Sequence, residues 1–116
     1  MASFFRRAGC FGVLYVTGPQ YLRLLLDLGS ERVEAPAVIE LQQANLYASP
    51  NDAAVRAAVL AGADEGNRAC GSSLHPLEIR YAVSSGDRSC GLMRCAARAI
   101  VERMAKVGPG GFEGEG

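Results

Sequence analysis

At 116 residues the chain is sized for one domain, and with 49 % apolar and 21 % charged residues it can bury a core rather than stay disordered. Twelve basic residues balance twelve acidic ones, so the formal charge is zero. That excludes nucleic-acid binding driven by a large positive field, which needs clustered Lys and Arg. No apolar stretch approaches the ~20 residues a bilayer-spanning helix requires.

In chain order, residues 1–9 read as a partly ordered leader. Acidic residues are missing before Asp27 while Arg6 and Arg7 are basic, which is how a mitochondrial presequence reads. The apolar run that follows fits a core strand better, so the chain is expected in the cytoplasm, with the mitochondrial matrix as the competing compartment. Residues 10–108 form the expected domain. Phe11–Thr17 is a continuous apolar run, as for a strand covered on both faces. Pro19 suits a first helical position, and Leu22, Leu25, Leu26 and Gly29 follow at helical spacing, which predicts a short helix stopped by Gly29.

Residues 37–42 predict a second strand. Ser49-Pro50-Asn51-Asp52 supplies a cap for a helix over 51–69, with Val55, Ala58, Val59 and Gly62 as its apolar stripe. Residues 77–83 predict a third strand, with Leu77, Ile79, Tyr81 and Val83 on one face and Glu78 and Arg80 on the other. Residues 89–107 predict a last helix, ended by Gly108-Pro109-Gly110-Gly111. The Gly/Glu stretch 109–116 reads as a flexible tail in which Phe112 alone could dock.

The alternation predicts an α/β fold of three strand–helix units, βαβαβα, with a small, mostly parallel sheet packed by helices. An antiparallel third strand would make it α+β. Three strands leave two unpaired edges. Helices faced with Ala53, Ala57, Ala61, Gly62, Ala96, Ala97 and Ala99 let another backbone come close. Both features predict a homo-oligomer.

In a parallel sheet, ligands bind at the carboxyl ends of the strands. Three loops rich in turn residues would meet there, each ahead of a helix N-terminus whose free N–H groups favour an anion. They offer Thr17 and Gly18, then Ser49 and Asn51, then Ser84, Ser85, Gly86 and Arg88, as the site for a small anionic ligand. Each loop alone reads more simply as cap and turn chemistry, and it is their convergence that favours a site.

The four cysteines form no C-x-x-C pair and accompany a single histidine, so they are expected to be free thiols with no metal and no cofactor. Cys90 falls in the first turn of the last helix, where the helix dipole and Arg88 would favour a thiolate. Cys70, followed by Gly71, suits either a mobile sulfur carrier or a helix end. His75 enters the third strand at its amino end, away from Cys90. Two functions remain. The favoured one is a non-catalytic module acting through homo-oligomerisation or partner binding. The other is a thiol-dependent enzyme or sulfur carrier using Cys90 or Cys70, with an anion held at the helix N-termini. Neither nucleic acid nor membrane is an expected partner.

Overall fold

The computed structural model describes residues 2–17, 20–41, 51–83 and 89–112. Five strands and two long helices follow in the order β1 (Ala2–Arg7), β2 (Cys10–Thr17), β3 (Gln20–Gly29), β4 (Ala37–Glu40), α1 (Asp52–Cys70), β5 (His75–Val83) and α2 (Ser89–Val107), with a 3₁₀ turn at Pro109–Gly111. The sheet order is β1-β2-β3-β5-β4. Among the described strands only β4 and β5 pair in parallel; β1–β2, β2–β3 and β3–β5 are antiparallel.

The chain therefore belongs to the mixed α/β class, but the βαβαβα arrangement is corrected. The expected first helix is β3. Leu22, Leu24 and Leu26 alternate onto the helix-covered side, and each is at most 1 % exposed. Leu25 is buried on the opposite side against Phe5 and Cys10. A run buried on both faces satisfies helical and strand spacing at once, and pairing with β2 and β5 decides it. The residues read as a leader supply β1. Its two-residue turn to β2 places Ala8 at φ 51° and Gly9 at φ 81°, the left-handed pair a tight hairpin demands.

The two expected long helices are α1 and α2. Asn51 caps α1, its side chain accepting from the Ala53 N–H at 2.7 Å. Gly71 ends α1 in the left-handed region at φ 64°. Asn67, 8 % exposed, ties that end down: its Nδ2 donates to Leu74 O, and its Oδ1 accepts from Ser72 Oγ and Leu74 N. The two helices pack on each other and on one face of the sheet. The core gathers Val13, Leu24, Ile79 and Tyr81 from the sheet, Val55 and Val59 from α1, and Met93 and Ile100 from α2.

A register shift between Asp27 and Leu28 interrupts the β3–β5 pairing, and Leu77 there is 37 % exposed instead of joining Ile79, Tyr81 and Val83 inside. Among the described residues, no helix is long and apolar enough to cross a membrane. Residues 109–112, expected as the start of a loose tail, are packed: Phe112 is 4 % exposed and joins the main core.

Candidate binding face

With both helices on one side, the alternation of each strand sends the other set of side chains to a helix-free face. The register lays them out in rows. Phe5, Gly12, Leu25, Arg80 and Ile39 stand side by side across all five strands, and Leu14, Arg23 and Ala82 form the next row. Phe5, Cys10 and Leu25, each 3 % exposed, make a second, small apolar cluster on this face. Gly12 permits it, because a Cβ there would run into the Phe5 ring and the Leu24 carbonyl. The Arg23 guanidinium lies over the Phe5 ring, 4.9 Å from its centre.

Beside this cluster is a hollow of about 310 Å³, lined by Arg7, Ala8, Arg23, Leu25, Leu41, Arg80 and Ala82. Three arginines from three strands reach it, and among the described residues neither an acid nor a nucleophile lines it. Arg80 Nη2 holds Glu78 Oε2 at 3.2 Å, while Arg80 Nε is buried with no hydrogen-bond acceptor among the described residues. Ile39 and Leu41 extend the face as exposed apolar side chains. The outer surface elsewhere is different. Arg94 pairs with Glu65, Arg98 with Glu102 and Arg32 with Asp64. The hydrogen bond from Arg94, and the nearby charge of Arg98, hold the Glu65 carboxyl below its ordinary range.

The strand directions also place the positions singled out from sequence. Since β3 runs opposite to both β2 and β5, the strands β2, β4 and β5 share one direction, and their carboxyl ends share one end of the sheet. Both helices start from that end and run side by side, with Gly62 against Arg94 and Ala97 and Gly66 against Arg98 and Val101. Thr17 ends β2 there, paired with Gln20, and Asn51 is the cap of α1. Gly18, Ser49, Ser84, Ser85, Gly86 and Arg88 lie outside the described residues.

Cys90 sits in the first turn of α2. Cys70 is the last residue of α1, and α1 spans 19 residues, or about 28 Å. The two are thus at opposite ends of the domain. His75 opens β5 at the Cys70 end. Among the described residues, no three of His, Cys, Asp and Glu gather as a metal site would need. Arg7, Arg23 and Phe5 were not singled out from sequence. Strand alternation would have placed Arg23 beside Arg80, had β3 been read as a strand.

The thiols differ in a way that alkylation can read. Cys95 is exposed, Cys70 is half-buried and Cys10 is buried. Burial pushes the Cys10 thiol up, with Asp27 and Glu78 adding and Arg80 opposing. Iodoacetamide mapped by peptide mass is expected to label Cys95 first, Cys70 more slowly and Cys10 only after unfolding. Equal labelling of Cys10 and Cys95 in the native chain would contradict this packing.

Comparison with protein-family models, curated proteins and solved structures gave no match for this chain.

Proposed function

We propose that the chain is a non-catalytic binding module and that it engages a protein partner through the helix-free face of its sheet. One observation carries the reading: Arg7, Arg23 and Arg80, from three different strands, ring a hollow lined in part by apolar Leu25, Leu41 and Ala82 on a face that neither helix covers. Arginine beside apolar and aromatic side chains is the composition that marks the centre of protein interfaces. Exposed Ile39 and Leu41 widen the apolar part of the patch. What the described lining offers is planar guanidinium donors, which suit recognition of carboxylate or phosphate.

The test is photo-crosslinking in cells that make the chain. A benzophenone amino acid replaces Ile39 or Leu41 in one set and the exposed helix residue Ala57 in another. Discrete adducts are expected from positions 39 and 41 and not from 57. An adduct of twice the chain mass would make the partner a second copy. Adducts arising equally from position 57, or none from 39 and 41, would overturn the reading.

A further inference from the structure

A second hollow, of about 450 Å³, lies at the tip of the β1–β2 hairpin, lined by Arg6, Arg7, Ala8, Gly9, Pro109, Gly110 and Phe112. It shares Arg7 and Ala8 with the hollow on the helix-free face. The two are thus neighbours across one tight turn. Arg6 and Arg7 are consecutive in β1, so their side chains leave opposite faces of the sheet. Among the described residues the hollows are lined by Arg6, Arg7, Arg23 and Arg80 and by no Asp or Glu, and of these arginines Arg80 also holds Glu78.

We infer that an extended, acidic peptide segment of the partner lies along this path and turns around the hairpin tip. The inference rests on the binding reading above and specifies what that face takes. Charge complementarity selects an acidic occupant. Apolar Leu25, Leu41 and Ala82 line the first hollow between the arginines, which suits a peptide carrying both acidic and apolar side chains. A nucleic-acid strand would need exposed rings on which bases stack. Phe112, which lines the second hollow, and Phe5, under the Arg23 guanidinium, are 4 % and 3 % exposed, so they offer no such platform.

The test uses the whole chain and a fluorescent decapeptide rich in Asp and Glu with leucine at every third position. Its probes for contrast are the same peptide with Asn and Gln in place of the acids, and a ten-nucleotide oligouridylate. Anisotropy at low salt is expected to show binding of the acidic peptide, at least about tenfold weaker binding of the neutral one, and loss of affinity as salt rises. Arg6→Glu and Arg7→Glu are each expected to weaken it by about fivefold or more, because reversing a charge at a contact adds repulsion to the lost attraction. Arg68→Glu, exposed at the end of α1, is expected to change it by less than about twofold. Unchanged melting temperatures would show that the variants are folded.

Equal binding of the neutral peptide overturns the inference. So do equal effects of Arg7→Glu and Arg68→Glu, and so does tighter binding of oligouridylate. If crosslinks persist from positions 39 and 41 while the acidic peptide fails, the binding face stands and the acidic segment falls. If both fail, both readings fall.

Discussion

Replacing Gly62 with alanine is expected to lower the melting temperature by about 10 °C, although alanine is the better helix former by about 1 kcal/mol. Gly62 is where α1 and α2 touch. A Cβ built there would strike the carbonyl group of Arg94 and crowd the Cβ of Ala97 at 3.1 Å. A backbone carbonyl within a helix cannot rotate away as a flexible side chain would, so the helices must separate. Overpacking of this kind costs about 1–3 kcal/mol. Separation also loosens Val59, Ala97 and Ile100, all fully buried nearby in the same core, so we place the net loss near the top of that range, about 2 kcal/mol after the propensity gain. Gly91→Ala is the control. Gly91 lies in the first turns of α2 with nothing within 4 Å of the Cβ position, so the same substitution there is expected to leave stability unchanged or raise it by about 0.5–1 kcal/mol. Thermal denaturation followed by circular dichroism reads both. A Gly62→Ala chain that melts with the parent would mean that the helices do not meet as closely as described.

Gly62 also shows what the small-residue helices are for. Their thin faces suggest contact between subunits. Gly62, Ala63, Gly66, Ala96 and Ala97 are instead buried within one chain, where they let two parallel helices share a narrow seam over the sheet. The small residues left outside, such as Ala53, Ala54 and Ala57, are exposed and say nothing by themselves about association.

Much of the fold was legible where one signal had no rival. The helices end at glycines, and the strands β2, β4 and β5 lie where apolar runs are bounded by turn residues. The rest was hidden by ambiguity at particular residues. In β3, Leu24, Leu25 and Leu26 are buried together because the sheet has a core on one face and the Phe5–Cys10–Leu25 cluster on the other. Such a run fits both periods, and Pro19 then tipped the reading toward a helix. In β1, adjacent Phe4 and Phe5 enter two different clusters, a pattern that two-sided strands produce and that a leader also mimics. The hairpin between β1 and β2 turns on Ala8-Gly9 rather than the Asn-Gly or Asp-Gly pair that announces such a turn.

The proposed binding face is out of reach of sequence for the same reason. Alternation puts Arg80 on the outer side of its strand, but its neighbours Arg7 and Arg23 sit on β1 and β3, whose spacing reads as a leader and a helix. A site assembled from residues 7, 23 and 80 has no local motif. It exists only through the register of β1, β2, β3 and β5. The antiparallel pairing that overturned the parallel sheet is therefore also what brings the three arginines together.

The chain's end provides the sharpest test of how β1 is held. Phe112→Ala is expected to cost about 3–5 kcal/mol, the range for removing a buried phenylalanine, and so to move the urea midpoint well below that of the parent with the slope unchanged. The Phe112 ring meets Phe11 edge-on at 5.0 Å and Phe4 at 5.8 Å, contacts worth about 0.5–1.5 kcal/mol beyond area burial. Arg103 fixes the turn that carries it, donating from Nε to Gly111 O at 3.0 Å while its guanidinium covers the Phe4 ring. A loose tail would predict no loss at all. The two outcomes are separated by a large fraction of the 5–15 kcal/mol typical of a whole domain. The loss should also be local in its first effects. Phe4 docks β1 on the helix side through Phe112 and Arg103, while Phe5 docks it on the other face. Removing Phe112 leaves β1 held by Phe5, by the Arg103 contact to Phe4 and by its hydrogen bonds to β2, so amide exchange in β1 should accelerate more than in β5. Because β1 carries Arg6 and Arg7, the same substitution should weaken binding of the acidic peptide beyond what the loss of one lining ring explains, and Phe112→Leu should restore most of both.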